Sequence, residues 1–342
     1  MKTMLVLSMG ALLLAGTLSA QTPVPEWQAG VDKVKNLIQS NPAQASEEAG
    51  ELLKGKNKKN VDLVTSVAHV YLDAGKITEA QEYLAMAKKA NNKDPKVSVL
   101  EGDIALAQKN IGQACQLYEQ AIYFDPNCKE AYLKYAQAYK SASPTQAIEK
   151  LEQLKAVDPN CLEADRELAE VYYSGNRFGK AAEMYAKFID TPLATEDDML
   201  KYAFALFLNH DFEKSLQVAQ KGLQKNARHA AFNRLVMYNN TDLKRYEDAE
   251  KAADAFFNAS DRADYSYLDY RYYGALLSAL KKYDKAIIEY GKALDKDDTQ
   301  VDLWREISDA HEMNNNYAEA IAAYRKYYDA LAKEKKTPET LF

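Results

Sequence analysis

Apolar positions recur along most of the chain in a fixed order. A small residue is followed three positions later by an aromatic or aliphatic one. Some nine residues on comes an alanine, and a large residue stands four positions after it. The alanines are Ala80, Ala114, Ala147, Ala181, Ala249, Ala286 and Ala320, with Ser215 in the same place between Ala181 and Ala249. The successive spacings are 34, 33, 34, 34, 34, 37 and 34 residues, which predicts tandem copies of one structural unit.

Each copy is predicted to be a pair of short antiparallel helices. Two helices pack closely where a small residue on each lets the backbones approach, and larger residues fill the space on either side. Asp-Pro closes three copies, because proline cannot continue a helix and biases its predecessor away from one. We expect eight copies, which begin near residues 61, 95, 129, 162, 196, 230, 267 and 301 and end at about 332. An atypical capping pair precedes them in residues 21–60, and a tail follows in residues 333–342.

The pattern resembles that of the tetratricopeptide repeat family. The run Trp304-x-x-Ile307-Ser308-x-x-His311, then Ala320-x-x-x-Tyr324, follows the family signature with conservative changes. The resemblance implies an all-α fold, a right-handed α-solenoid of helix-turn-helix repeats. It also implies that the first helix of each unit contributes to a concave wall, and that a peptide or protein segment binds there.

The array is least regular over residues 196–266. Ser215 replaces the signature alanine, Met237 stands where a small residue is expected, and Asn240 stands where a large one is expected. Three extra residues lie within the range from Asn258 to Ser266. Two interpretations are open, namely tolerated drift of the repeat, or a hinge, kink or binding feature.

The first twenty residues differ from the rest of the chain. Lys2 gives a short positive start, an apolar stretch runs from Met4 to Leu18, and Leu18-Ser19-Ala20 has the form of a cleavage site. This order predicts a secretory signal peptide over residues 1–20, with cleavage near Ala20 and a mature protein that is periplasmic or secreted. An N-terminal membrane anchor is the alternative, although the apolar run is short for a span. No later stretch of the sequence could cross a bilayer.

Composition and charge narrow the classes of function. The scarcity of glycine (13) and proline (9) in 342 residues favours helices joined by short loops. A formal net charge of −6 lacks the basic footprint of a nucleic-acid binder. With no glycine-rich phosphate loop and no paired metal-binding histidines, we predict no catalytic, metal or cofactor site. We therefore expect a non-catalytic protein-interaction scaffold of the cell envelope or a secretion assembly. A helical protein that binds a glycan or small ligand is the alternative, and an enzyme with an unrecognised site is the third hypothesis.

A candidate binding site follows the first helices of units four to eight. Their fifth position holds arginine in four of the five units, and aromatic residues are expected nearby. The candidate residues are Arg166, Tyr173, Phe204, Phe207, Arg234, Tyr238, Arg271 and Arg305. Arginine beside aromatic rings suits an extended segment that bears carboxylates and apolar side chains. The alternative is that these arginines pair with carboxylates of the chain itself, such as Glu170 or Asp309.

The last helix predicts a second contact surface, at the C-terminal edge of the array. A repeat stack needs a polar cap on its final apolar face, and the tail is too short for a separate capping helix. The candidate edge residues are Tyr324, Tyr328 and Leu331. Three outcomes are open: Leu341 and Phe342 fold back over the edge, two chains pair there as a homodimer, or a partner protein docks.

Overall fold

The computed structural model of the protein describes residues 24–261 and 264–334, with side chains as far as Leu331. The predicted signal peptide and its cleavage site near Ala20 lie outside these residues. So do Leu341 and Phe342 of the tail. Within the described part of the chain, no helix is long and apolar enough to cross a membrane.

The described residues form eighteen α-helices in tandem and no β-strand, which confirms the predicted all-α class of solenoid built from helix pairs. Contacts divide the chain into two compact units, Met1–Phe124 and Asp125–Phe342. Odd-numbered helices are the first of each pair and even-numbered helices the second. The first unit contains α1 (Gln28–Leu37), α2 (Pro42–Leu52), α3 (Val61–Asp73), α4 (Ile77–Asn91), α5 (Pro95–Ala107) and α6 (Ile111–Phe124), with a 3-10 turn at Gly55–Lys59.

The second unit continues the same alternation of first and second helices. Its helices are α7 (Lys129–Tyr139), α8 (Pro144–Val157), α9 (Leu162–Ser174), α10 (Phe178–Phe188), α11 (Glu196–Leu208), α12 (Phe212–Lys225), α13 (Ala230–Asp242), α14 (Tyr246–Asp254), α15 (Tyr267–Ala279), α16 (Tyr283–Lys296), α17 (Asp302–Met313) and α18 (Tyr317–Glu334). A π-helical turn at Ala255–Ala259 follows α14.

One tight turn recurs between the two helices of a pair. It contains a residue in the left-handed region, with φ between 56° and 75°, and the next N–H bonds to the carbonyl five residues earlier at 2.8–2.9 Å. This geometry satisfies carbonyls that the end of the first helix leaves unpaired. The left-handed residues are Gly75, Lys109, Asn176, His210, Lys244, Lys281 and Asn315. The connection between α7 and α8 differs, since the Ser143 N–H bonds to the Tyr139 carbonyl at 2.7 Å and Pro144 begins the next helix.

Helix pairs cross where a missing side chain admits a ring from the partner helix. A Cβ atom added at Gly102 would lie 2.5 Å from the Tyr118 ring, and one added at Gly274 would lie 2.6 Å from the Tyr290 ring. Signature alanines act in the same way, since Ala80, Ala147 and Ala286 are fully buried. The periodic small residues are therefore the points at which neighbouring helices touch.

Ser215, which departs from the alanine pattern, forms hydrogen bonds with both neighbouring first helices. The Ser215 hydroxyl donates to the Ala203 carbonyl at 2.8 Å and accepts from the Asn239 amide nitrogen at 2.8 Å. These buried atoms connect α11, α12 and α13. A second-helix serine is thus accommodated because the neighbouring repeat supplies a polar partner, and a buried polar atom without one would be costly.

Candidate functional site

Arginine ion pairs connect three pairs of neighbouring first helices in the second unit: α9 with α11, α13 with α15, and α15 with α17. Arg166 Nε lies 2.9 Å from Asp198 Oδ1 on the following first helix. Arg271 donates to Glu306 Oε1 from both Nε and Nη2, at 2.9 and 2.6 Å. The same position of one helix thus reaches a carboxylate of the next first helix, about one repeat further along.

The most enclosed of these contacts joins α13 to α15. Arg234 donates from Nε to Asp269 Oδ1 at 2.6 Å and from Nη2 to Asp269 Oδ2 at 3.1 Å, while the Asp269 side chain is fully buried. Asp269 also forms a capping box with Ser266 at the beginning of α15. Asp198 does the same with Thr195 at α11. Arg166 and Arg234 therefore pair with helix-capping carboxylates, whose charge already favours a helix N-terminus.

Three of the four candidate arginines are thus paired within the chain, with partners other than the two that the sequence suggested. Glu170 accepts from Lys201 and from the Tyr185 hydroxyl instead. The fourth, Arg305, is half exposed and lies 4.0 Å from Asp302 on its own helix.

The candidate aromatic residues fall into separate groups. The ring centroids of Phe207 and Tyr238 lie 5.7 Å apart. The Tyr238 ring stacks on the Tyr272 ring, with 4.0 Å between their centroids and an interplanar angle of 17°. Phe204 is half-buried on α11, whereas Tyr173 packs edge-on against Phe178 at 5.7 Å. The structure therefore brings Phe207 and Tyr238 together and places Tyr173 elsewhere on the first helices.

Tyr238 contributes to the interior more than to the surface. Only 2% of the residue is exposed, and its hydroxyl donates to Asp269 Oδ1 at 2.7 Å. Burial, followed by the charge of Asp269, raises the pKa of Tyr238, so the hydroxyl remains a hydrogen-bond donor. A more accessible ring of this aromatic cluster is Tyr272, which is only partly buried.

An open cavity of about 360 Å³ lies beside Tyr272, between α13, α15 and α17. Its walls are Thr241, Asp242, Leu268, Arg271, Tyr272, Ala275 and Glu306. The Tyr272 hydroxyl donates to Asp242 Oδ2 at 2.9 Å. Burial raises the pKa of Asp242, and the hydrogen bond from Tyr272 and the charge of His210 act against that rise. Of these seven residues, the sequence predicted only Arg271 as a site residue. The other six do not occupy the recurrent arginine position of the first helices.

The C-terminal edge carries exposed apolar side chains. Tyr324 is 52% exposed and Tyr328 is 68% exposed, whereas Leu331 is half-buried. Tyr317 and Ile321 on α18 are more than half exposed as well. The fold-back outcome depends on Leu341 and Phe342, which lie outside the described residues.

Among the described residues, no group of three His, Cys, Asp or Glu side chains is arranged to hold a metal ion. We call the surface formed by α9, α11, α13, α15 and α17 the first-helix face. It offers ion pairs, an aromatic ring and an open cavity. Such a surface can bind and orient a segment of another molecule.

The tetratricopeptide repeat model matches residues 68–128, 136–193 and 274–334, which together exceed half of the chain. The chain belongs to this family, whose repeats generally mediate protein–protein interaction and whose fold is generally non-catalytic.

Several solved structures are similar to this chain at low sequence identity. A tetratricopeptide repeat protein from Parabacteroides merdae ATCC 43184 is 14% identical, with 73% of this chain and 98% of that one covered and a TM-score of 0.44. PilF of Pseudomonas aeruginosa is 15% identical, with 60% and 96% covered and a TM-score of 0.48. MamA from Desulfovibrio magneticus RS-1 is 15% identical, with 52% and 97% covered and a TM-score of 0.46. A search of curated protein sequences gives no match.

Proposed function

We propose that this protein is a non-catalytic scaffold of the cell envelope or a secretion assembly, and that its first-helix face binds a segment of another protein. The observation that carries the proposal is the open cavity between α13, α15 and α17, with its aromatic and charged walls. Binding pockets combine apolar surface with a few placed polar groups, and this cavity has both. The signal-peptide pattern of residues 1–20 supports export, with cleavage near Ala20.

A photo-crosslinker tests where the partner binds. We expect p-benzoylphenylalanine at Ala275, which lines the cavity, to crosslink a discrete protein partner in cells of the source organism. The same group at Ile288, which is 58% exposed on the second helix α16, is the matched control. The proposal predicts adducts at Ala275 that are missing at Ile288. Equal labelling at both positions, or none at Ala275, would contradict it.

We further propose that the C-terminal edge pairs with a second copy of the chain. Glu319 lies near the beginning of α18, and Arg325 lies between Tyr324 and Tyr328 in the sequence. Antiparallel pairing of two α18 helices about a two-fold axis brings the exposed rings of the two copies together. Tyr324 and Tyr328 then lose their contact with water, which favours association.

Light scattering on the chain from Gln21 onward tests this pairing. We expect a dimer whose dissociation constant rises by tenfold or more when Tyr324 and Tyr328 are both replaced by glutamate, because two charges would be buried without partners. Ile288→Glu adds a charge at an exposed second-helix position and leaves the dimer intact. A wild-type chain that remains monomeric at every accessible concentration excludes the homodimer.

A further inference from the structure

The arginines of the first-helix face contribute little net positive charge to its surface. Arg234 is neutralised by the buried Asp269, and Arg271 is neutralised by Glu306. A carboxylate of a bound segment would have to displace one of these internal partners, and a displaced buried carboxylate loses its compensation. The face is therefore poorly suited to the acidic segment that the arginine series suggested.

The carboxylate that lacks such compensation is Asp242, at the wall of the cavity. Among the described residues, no lysine or arginine nitrogen lies within 4.0 Å of Asp242, which accepts a hydrogen bond from the Tyr272 hydroxyl. The charge of His210 also acts on Asp242, from the turn after α11. Asp242 is accessible to solvent, so a cation that enters the cavity can pair with it.

Glu306 also lines the cavity. It uses Oε1 for both contacts with Arg271, so this carboxylate is already paired. Its Oε2 atom has no hydrogen-bond partner among the described residues, but it is buried and closed to a ligand in the cavity. Asp242 is therefore the acceptor that the cavity offers to a ligand.

The cavity also offers a ring. One face of Tyr272 stacks on Tyr238 at 4.0 Å, and Tyr272 lines the cavity beside the apolar side chains of Leu268 and Ala275. Aromatic faces attract cations, and a guanidinium group stacks on them as well. Apolar walls accommodate the methylene stem of a long basic side chain.

We infer that the cavity between α13, α15 and α17 receives a basic side chain, with arginine preferred, from the segment bound at this face. The inference rests on the proposed function and specifies its ligand chemistry. Asp242 pairs with the guanidinium through its N–H donors, and Tyr272 stacks against the guanidinium plane. Lysine fits less well, because a compact ammonium group presents three donors and no plane to stack.

Methyl NMR of the chain from Gln21 onward tests the chemistry of the cavity directly. The probes are the tripeptides acetyl-Leu-Arg-Leu-amide, acetyl-Leu-Gln-Leu-amide and acetyl-Leu-Glu-Leu-amide, and the reporters are the methyl groups of Thr241, Leu268 and Ala275. We expect the arginine peptide to shift these signals with at least tenfold higher affinity than the glutamine peptide, because charge-assisted hydrogen bonds are roughly twice as strong as neutral ones. A glutamate peptide that binds as well as the arginine peptide overturns the inference.

The decisive variant is Asp242→Asn, which keeps an oxygen acceptor for the Tyr272 hydroxyl while removing the charge. It should reduce the affinity for the arginine peptide about tenfold and leave that for the glutamine peptide unchanged. Asp309→Asn is the matched control, because it removes one exposed charge from the same first-helix face outside the cavity wall. Equal losses in both variants would show general electrostatic attraction and overturn the assignment of Asp242. Circular dichroism confirms that each variant is folded.

Crosslinking separates failure of this inference from failure of the proposed function. With p-benzoylphenylalanine at Ala275, the captured peptide should contain arginine or lysine close to the crosslinked residue, and Asp242→Asn should reduce its yield at least fivefold. Capture that is insensitive to Asp242 and lacks a basic residue leaves the binding face in place and overturns the basic pocket. Binding of the arginine tripeptide without any capture supports the pocket and contradicts the proposed function.

Discussion

We expect Asp269→Ala to lower the free energy of unfolding of the second unit by about 3–5 kcal/mol. The Asp269 side chain is fully buried and accepts from Arg234, from the Tyr238 hydroxyl and from the Ser266 N–H. Alanine would remove the carboxylate that pairs with the Arg234 guanidinium, leave the buried Tyr238 phenol without its acceptor and remove the capping box of α15. Few single substitutions have effects this large, because few remove a buried charge on which several donors converge.

Denaturant unfolding of the chain from Gln21 onward, followed by circular dichroism, measures the loss. Because a repeat array need not unfold in one step, hydrogen exchange should also show where protection falls, first in α13 to α16. Asp302→Ala is the matched control. Asp302 stands at the beginning of the next first helix, α17, its side chain is 55% exposed, and its Oδ1 atom lies 4.0 Å from Arg305 Nη2. Asp302→Ala should lower the free energy of unfolding by at most about 1 kcal/mol. Equal losses in the two variants would show that the Asp269 network does not hold the repeats together.

The all-α fold was predictable because the repeat pattern reports contacts between neighbouring helices. A signature alanine such as Ala286 is small for the same reason that it is buried, since the backbone of its partner helix passes close by. That requirement acts on each position alone and is therefore visible in one sequence. The family model confirms the prediction of tetratricopeptide repeats over residues 68–128, 136–193 and 274–334.

The contacts of the candidate site were less predictable because they depend on pairs of residues in different repeats. The arginine position was visible from its recurrence, but the partners stand 32 residues on for Arg166 and 35 residues on for Arg234 and Arg271. Which carboxylate is reached depends on how closely two first helices approach and on side-chain direction. Sequence periodicity alone specifies neither.

Ser215 shows the same limit in the interior. Considered alone, it is a departure from the alanine pattern, and Asn239 in the next repeat gives no sign of being its partner. The structure joins them at 2.8 Å, so the Asn239 side-chain nitrogen donates to the buried Ser215 hydroxyl. Coupled substitutions of this kind become visible only when both helices are placed.

The close helix crossings predict opposite effects for one substitution at two glycines of the same helix pair. We expect Gly274→Ala on α15 to lower the free energy of unfolding by up to about 2 kcal/mol, because overpacking costs roughly 1–3 kcal/mol and the gain in helix propensity offsets about 1 kcal/mol of that cost. The added Cβ would lie 2.6 Å from both Cδ1 and Cε1 of Tyr290. Tyr290 is 4% exposed, and burial raises its pKa to about 12, so its ring is enclosed and has little room to move aside.

Gly291→Ala on α16 is the matched comparison, because no heavy atom lies within 4 Å of the position that its Cβ would occupy. Only the helix propensity changes there, so we expect a gain of about 0.5–1 kcal/mol from the reduced freedom of the unfolded chain. Denaturant midpoints of the two variants, measured beside the wild-type chain, should therefore move in opposite directions. A stabilising Gly274→Ala would mean that Tyr290 can shift without cost and that α15 and α16 are held together elsewhere. A destabilising Gly291→Ala would mean that α16 packs against a neighbour at a position that the structure leaves open.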